Sequence, residues 1–315
     1  MAQLPPPVLS QADVEQLELT VQQTPTDLKS QTLLGKNYAY FVLGVTALGK
    51  YGDPTAVDVA KSGSDFAQHA VAQLGTDSTP ATVLAEGGRE LWNDSFSVQS
   101  YGVAIADSLA AESLAVKAID LAIQAQPDNS TWRYYRIPIL VFRSNFANIL
   151  PLSVQDAYAQ VKLDFALLAD LDHRFLISTI AKLAVRAGAL VDATGYAQEM
   201  LSKLNDPFFG LWLGGEYVFY ANMVLGQVAI RNGDMNGAKA YLLTSGKTTG
   251  SPSLNSFGPN MSLAKDLLDV GERDSVLDFF DECRVFWNLD FGALDKWTAQ
   301  VRNGQTPNFG ANLLY

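Results

Sequence analysis

The chain has 315 residues and a formal net charge of −11, and 48% of its residues are hydrophobic while only 17% are charged. This composition supplies a large apolar core and excludes a disordered chain. The acidic balance argues against a nucleic-acid partner, which would require a basic patch, and against attraction to anionic membrane surfaces.

The cysteine count and the hydropathy pattern indicate a compartment. Cys283 is the one cysteine of the chain, so an intrachain disulfide is excluded, which fits the cytoplasm. No run of about 18 apolar residues occurs, so no membrane span is predicted. The first residues lack the basic and apolar regions of a signal peptide. We therefore expect a soluble cytoplasmic protein; the alternative is a periplasmic or secreted mature form whose signal peptide has been removed.

The chain is predicted to be helical along most of its length. Residues 1–10 form a Pro-rich lead-in, and residues 11–302 are predicted to be one helical domain. Helix pairs are predicted at 36–74 and 175–204, where apolar residues recur at helical spacing. Residues 303–315 have no helical period and are predicted to form an irregular tail.

The segment Tyr217–Ser245 carries the clearest helix pair. Apolar residues at spacings of three and four give its first half one apolar face. Asn232-Gly233 is typical of a helix end, because both residues tolerate the left-handed conformation, and Asp234 can cap the next helix. A glycine inside a helix costs roughly 1 kcal/mol relative to alanine. Gly226 therefore indicates that a second helix approaches closely, with the small Ala238 opposite.

The same pattern recurs on both sides of this pair. When Gly271 is aligned with Gly233, at an offset of 38 residues, small residues coincide with small residues and large residues with large ones at most of the aligned positions. The aligned residues are Ala264 on Gly226, Leu267 on Ala229, Val276 on Ala238 and Phe280 on Leu242. A weaker copy in 175–204 is carried by Ala181, Ala184, Gly188, Ala193 and Ala197.

The segment Leu225–Leu242 resembles a tetratricopeptide repeat, with large-Gly in its first helix and small-x-x-x-large in its second. Asn222, Ala229 and Gly250 depart from the Trp, Tyr and Pro that are common in the family. Roughly the last 60 residues also resemble the closing segment of a group of bacterial tetratricopeptide-like proteins whose activity is not settled.

Alternating strand patterns bounded by hairpin turns are missing along the whole chain. We therefore predict an all-α fold. Repeats of this length are typical of an α-solenoid, here of about 12 to 15 helices in antiparallel pairs with atypical capping helices at its ends.

Clusters of residues that could carry chemistry are weak. Asp278, Asp281 and Glu282 share one predicted helix and could bind a metal or transfer protons, but a solvated acidic face is the more common arrangement. His173, which follows two aspartates, could ligate a metal, although a charge cluster at a helix end is favoured. Cys283 has the position of a buried structural thiol. No catalytic residue, cofactor or metal is therefore expected.

Aromatic and arginine residues provide the best candidate binding site. Two stretches, 132–136 and 208–220, hold more large aromatic residues than a two-layer array can bury. The first helices of such repeats line a concave face, so the spare aromatic residues could form a groove there, and the loop 255–260 could reach over it. Aromatic residues and Arg dominate binding hot spots. The predicted ligand- or peptide-binding residues are Arg133, Arg136, Trp212, Tyr217, Tyr220, Asn222, Asn255, Phe257 and Asn260.

The favoured hypothesis is a helical-repeat scaffold that binds a protein or peptide segment in this groove without catalysis. The alternative is a helical enzyme or small-molecule-binding protein with an enclosed aromatic and acidic pocket. A third hypothesis is a subunit whose capping helices drive formation of a homo-oligomer. An open groove favours the first hypothesis, and a closed cavity with inward-facing carboxylates favours the second.

Overall fold

The computed structural model describes residues 11–24, 27, 30, 116, 120, 123, 127–128, 130–146, 152–206 and 213–313. Within these residues the chain forms eleven α-helices, two short 3-10 helices and no strand, which confirms the all-α prediction. The Pro-rich lead-in and the helix pair predicted at 36–74 lie outside the described residues.

The α-helices are numbered here in chain order. They are α1 (Gln11–Gln23), α2 (Ser130–Arg143), α3 (Val154–Phe165), α4 (Asp170–Ala187), α5 (Leu190–Ser202), α6 (Gly214–Arg231), α7 (Met235–Gly246), α8 (Pro252–Phe257), α9 (Ser262–Asp269), α10 (Arg273–Phe286) and α11 (Ala293–Arg302). The 3-10 helices are Ser144–Phe146 and Gly310–Leu313.

The chain divides into two compact units, Met1–Pro151 with Leu163–Ala169, and Leu152–Lys162 with Asp170–Tyr315. In the first unit, α2 continues through Pro138 instead of ending there, and its buried residues include Ile137 and Leu140. The second unit holds all the helices from α4 to α11, and it contains the repeated helix pairs.

Three helix pairs follow one another in the second unit: α4 with α5, α6 with α7, and α9 with α10. Each first helix also contacts the first helix of the next pair, so α6 packs against both α4 and α9. The second helices form a further set of contacts, since α5 packs on α6 and α7 packs on α10. Helix α6 is consequently buried on several sides.

The same left-handed turn joins the two helices of each pair. Its glycine is Gly188, Gly233 or Gly271, with φ angles of 80°, 78° and 90°. In all three turns the residue after the glycine donates its N–H, at 2.9 Å, to the carbonyl four residues before the glycine. The glycine N–H donates to the next carbonyl along, at 3.0–3.1 Å. This is the Schellman arrangement, which satisfies carbonyls at a helix end and needs a positive φ that glycine adopts without strain.

The predicted cap that follows one of these turns is confirmed. Asp234 Oδ1 accepts a hydrogen bond of 2.8 Å from the backbone N–H of Gly237 in the first turn of α7. Because this carboxylate satisfies one of the unpaired N–H groups there, it fixes where α7 begins.

Equivalent positions around the three turns are all buried. Gly233 lies 45 residues after Gly188 and 38 residues before Gly271. At these offsets the buried sets are Ala181, Gly226 and Ala264; Ala184, Ala229 and Leu267; Ala193, Ala238 and Val276; and Ala197, Leu242 and Phe280. The residues that the sequence aligned on the helices therefore all lie in the core of the second unit, while the three turn glycines are exposed.

The close approach predicted at Gly226 is confirmed. A Cβ atom built on Gly226 would lie 2.4 Å from Cδ2 of Leu263 in α9 and 3.2 Å from Cβ of Tyr241 in α7. The nearest atoms thus come from two helices, and Ala238, which the sequence placed opposite, does not supply them. Glycine at this position lets α6 sit against both neighbours at once.

The segment after α11 packs against the third pair. Phe309 is buried, with ring centroids 5.0 Å from Trp297 and 6.2 Å from Phe280. The backbone N–H of Met261 donates to the carbonyl of Asn312 at 2.7 Å, and the Asn312 amide donates to the carbonyl of Pro259 at 3.0 Å. These bonds hold the start of α9.

Replacing Gly226 with alanine is expected to destabilise the second unit. The helix gains about 1 kcal/mol in propensity, but the methyl group collides with Leu263, and overpacking costs about 1–3 kcal/mol. We expect a net loss of up to about 2 kcal/mol in the free energy of unfolding, measured by circular dichroism in urea.

Gly195→Ala in α5 is the matched control. A Cβ atom at Gly195 has no heavy atom within 4 Å. This variant should therefore gain stability, by about 1 kcal/mol. A Gly226→Ala variant as stable as Gly195→Ala would contradict the close packing of α6 against α9.

Candidate functional site

Polar and aromatic side chains join the first helices across both of their junctions. Glu216, Tyr220 and Gln227 lie on one face of α6, at spacings of four and seven residues. Lys182 of α4 meets this face on one side and Asp266 of α9 on the other. We call these five residues the first-helix row.

At the junction of α4 with α6, the ammonium of Lys182 lies over the ring of Tyr220, with Nζ 4.3 Å from the ring centroid. Burial lowers the pKa of Lys182 to about 8, against the opposing attraction of Glu216. Glu216 is itself held by Ser251, whose hydroxyl donates to Oε1 at 3.0 Å. Lys182 therefore presents a half-buried amine that changes its charge slightly above neutral pH.

At the junction of α6 with α9, Nε2 of Gln227 donates to Oδ2 of Asp266 at 3.1 Å. Burial raises the pKa of Asp266, and the hydrogen bond from Gln227 and the charge of Arg231 oppose that rise. Both ends of the first-helix row thus hold an ionisable group whose charged form is disfavoured by burial.

Three of the predicted binding residues lie on α6, and all three are buried. The Tyr217 hydroxyl donates to the carbonyl of Arg174 at 2.8 Å, and the Asn222 amide donates to the carbonyl of Val218 at 2.7 Å. Tyr220 packs edge-on against Phe219, with centroids 5.2 Å apart, and supports Lys182 on its face. Tyr217 and Asn222 therefore bond to helix backbone, and Tyr220 is the one of the three that belongs to the first-helix row.

The loop predicted to reach over a groove, 255–260, begins in the short helix α8, Pro252–Phe257. Ser251 accepts from the N–H of Leu254 at 3.1 Å, and Pro252 occupies the first turn. This Ser-Pro pair is a helix-start signal, with a capping hydroxyl at Ser251 and a proline in the first turn. The loop is thus partly ordered by a helix of its own.

The three predicted residues of this loop have different environments. Asn255 is half-buried, and its Oδ1 is a buried atom without a hydrogen bond. The side chain of Phe257 is 67% exposed. Asn260 is buried and accepts the N–H of Ser262 at 2.9 Å, at the start of α9. Phe257 is therefore the member of this loop that is most available to a ligand.

The two predicted arginines lie in the first unit and pair with a buried carboxylate. Arg136 makes a bidentate contact with Asp164, at 2.8 Å from Nε and 2.6 Å from Nη2, and also pairs with Asp120. Arg133 has its Nε 3.7 Å from the same carboxylate and donates from Nη1 to the carbonyl of Pro127. Because a buried carboxylate is costly without cationic partners, these arginines neutralise Asp164.

Of the remaining sequence predictions, Trp212 lies outside the described residues. Asp278 and Asp281 are exposed on α10, while Glu282 is half-buried. The thiol of Cys283 is fully buried, and burial raises its pKa well above the ordinary value, which makes it a poor nucleophile.

The described residues hold no group of three or more His, Cys, Asp or Glu residues that could bind a metal ion. In the same part of the chain, no helix is long and apolar enough to cross a membrane.

No protein-family model matches the chain, and no curated protein or solved structure matches it either. Its function is therefore inferred from its own residues. The first-helix row combines an amine, two carboxyls, an amide and a buried aromatic ring across three adjacent helices, and its polar groups can hold a ligand by hydrogen bonds.

Asp266→Asn is expected to raise the stability of the second unit at neutral pH. The pKa of Asp266 is higher in the folded protein than its ordinary 3.8. At pH values between the ordinary pKa and the pKa in the folded protein, the folded state therefore binds more protons than the unfolded state does. Stability therefore falls as the pH rises through this window, and an asparagine removes that fall while still accepting from Gln227. Urea unfolding between pH 4 and 8 measures the difference.

Asp278→Asn is the matched control, because Asp278 is an exposed carboxylate on α10. It should leave the pH dependence of stability unchanged. If the stability of the wild type and that of Asp266→Asn depended on pH in the same way, the raised pKa of a buried carboxyl at position 266 would be contradicted.

Lys182→Met is expected to reduce the dependence of stability on pH in the alkaline range. The pKa of Lys182 is about 8 in the folded protein and 10.5 ordinarily, so between these values the unfolded state binds more protons. Wild-type stability should therefore rise with pH through this window relative to the methionine variant. Thermal unfolding from pH 7 to 10.5 measures the difference, with the exposed Lys296→Met as control. If the difference in stability between the wild type and Lys182→Met were the same at every pH, the lowered pKa of Lys182 would be refuted.

Proposed function

We propose that the second unit is a tetratricopeptide-like α-solenoid that binds an extended protein or peptide segment along its first-helix row, without catalysis. The main support for this proposal is the left-handed turn that recurs at Gly188, Gly233 and Gly271 with matching hydrogen bonds. Stacked helix pairs that bury the same positions form a quasi-one-dimensional array, and such arrays mostly serve as binding surfaces.

The contacts between helices support the same architecture. Each first helix touches its own second helix and the first helix of the next pair. The first helices α4, α6 and α9 consequently form one continuous layer. In the family that these repeats resemble, that layer lines the concave face, where a ligand lies across several repeats.

The chemistry of the first-helix row suits an extended main chain. Gln227 and Asp266 supply an amide donor and a carboxyl acceptor at one junction, and Lys182 supplies an amine donor at the other. A main chain that is not folded on itself presents N–H and carbonyl groups in alternation, so it can use donors and acceptors of both kinds. The buried ring of Tyr220 lies under Lys182 and positions this amine at the junction of α4 with α6.

The residues on which an enzyme hypothesis depends have unsuitable positions. Asp278 and Asp281 face solvent on α10, and they do not enclose a pocket. Cys283 is fully buried in the core, where its thiol is not accessible to a substrate. Catalysis by paired acids needs carboxyl groups in a site that partly excludes water, which an exposed helix face does not provide.

A random dodecapeptide library displayed on phage tests this proposal. Peptides enriched on the wild-type protein should bind at least tenfold more weakly to a Lys182→Met, Gln227→Ala variant, in fluorescence anisotropy with labelled peptides. The reason is that both junctions of the row then lose a donor.

Val191→Ser is the matched control, because Val191 is an exposed apolar residue on the second helix α5. It should bind the same peptides as the wild type does. If the peptides bind all three proteins equally, or if none is enriched, the first-helix row is not a peptide-binding site. Circular dichroism verifies that both variants are folded.

A further inference from the structure

The last turn of α10 and the segment that joins it to α11 display large apolar side chains to solvent. Val285 is 76% exposed, Leu289 is 49% exposed and Phe291 is 92% exposed. Phe286 and Trp287, which lie between Val285 and Leu289, are buried and anchor this part of the chain in the core. We call Val285, Leu289 and Phe291 the apolar turn. Three exposed apolar residues within seven positions are unusual for an acidic, polar surface, where such residues normally occur singly.

The backbone of the apolar turn is strained at its most exposed residue. Phe291 has a φ of 48°, and it is the one non-glycine residue with a positive φ in the described part of the chain. The left-handed region is unfavourable for any residue that carries a Cβ atom. Gly292 follows with a φ of 81°, so two successive left-handed residues direct the chain into α11. Strain of this kind persists when the surroundings enforce it, and it concentrates at functional positions.

Asp290 supplies the bonds that enforce this conformation. Its Oδ1 accepts from the N–H of Gly292 at 3.3 Å, and its Oδ2 accepts from the N–H of Leu294 at 3.2 Å. Its carbonyl accepts from the N–H of Ala293 at 2.9 Å. The chain on either side of Phe291 is therefore fixed, and a partner that covers the ring orders little additional backbone when it binds.

The surroundings of the apolar turn are acidic. Residues 278–296 contain five carboxylates and two cationic groups, a local net charge of −3. The side chains of Asp281 and Asp295 are 70% and 79% exposed, and they share Arg284 as one cation. An apolar centre with a negative rim is complementary to a segment that carries both apolar and basic residues.

We propose that the apolar turn is a docking surface for a cationic, amphipathic segment of a partner protein. The apolar side chains of the segment cover Phe291 and Leu289, and its lysines or arginines face Asp281 and Asp295. A second copy of this chain is a poorer occupant, because each copy carries a net charge of −11. The surface is built from α10 and the following turn, so it uses none of the residues of the first-helix row.

A designed helical peptide of leucine and lysine tests the proposal, with a peptide of leucine and glutamate in the same pattern as its charge-reversed counterpart. Binding is measured by fluorescence anisotropy at low and at physiological salt. We expect the lysine peptide to bind the wild-type protein at least tenfold more tightly than it binds Phe291→Gly. The glutamate peptide should not bind.

Phe291→Gly separates lost binding from lost folding, because glycine adopts the left-handed conformation without strain. This variant should melt at a higher temperature than the wild type while binding more weakly. Val191→Ser removes an equally exposed apolar residue from α5 and should bind like the wild type.

Three outcomes would overturn the proposal. Equal binding of the lysine peptide to wild type and Phe291→Gly would show attraction to net charge alone. Equal binding of both peptides would show that the surface does not select a cationic segment. Sedimentation that shows self-association of the wild type, lost in Phe291→Gly, would assign the surface to a second copy of this chain.

Discussion

The left-handed glycine turn is the constraint on which the second unit depends. At Gly188, Gly233 and Gly271 the same two backbone bonds close the end of a first helix and start the return of a second. Because these bonds set the direction in which the second helix leaves, they also decide which positions of the two helices face each other. The buried sets that recur around each turn, and the alignment of α4, α6 and α9 into one layer, follow from this geometry.

Local signals made parts of this structure predictable. The Asn-Gly-Asp turn predicted the junction of α6 with α7, and the unusual helix glycine predicted the tight packing at Gly226. The partners of Arg133 and Arg136 could not be predicted, because Asp164 lies 28 residues beyond Arg136 and no periodicity links them. The periodicity of α6 also fails to predict which residues are buried, because this helix has neighbours on several sides. Asn222 is therefore buried, although it lies on the face that the apolar pattern left open to a ligand.

The first-helix row combines two properties that conflict in an ordinary core. Lys182 and Asp266 are partly removed from water, so each is less stable in its charged form, yet neither is replaced by an apolar residue. Residues that lower stability without an evident structural benefit concentrate at sites of function. A ligand that satisfied both groups would recover part of the free energy that burial costs them, which is how a binding surface gains affinity from groups that destabilise the free protein.

The buried sets change in size along the chain, although their positions are equivalent. The last set runs from Ala197 through Leu242 to Phe280, and another runs from Ala184 through Ala229 to Leu267. Each pair is thus fitted to its own place in the series. Exchanging two pairs, or copying one of them to lengthen the protein, would leave a void at one junction and a clash at another. The order of the pairs is therefore part of what the sequence encodes, and growth by simple duplication would require the core to be rebuilt at every new boundary.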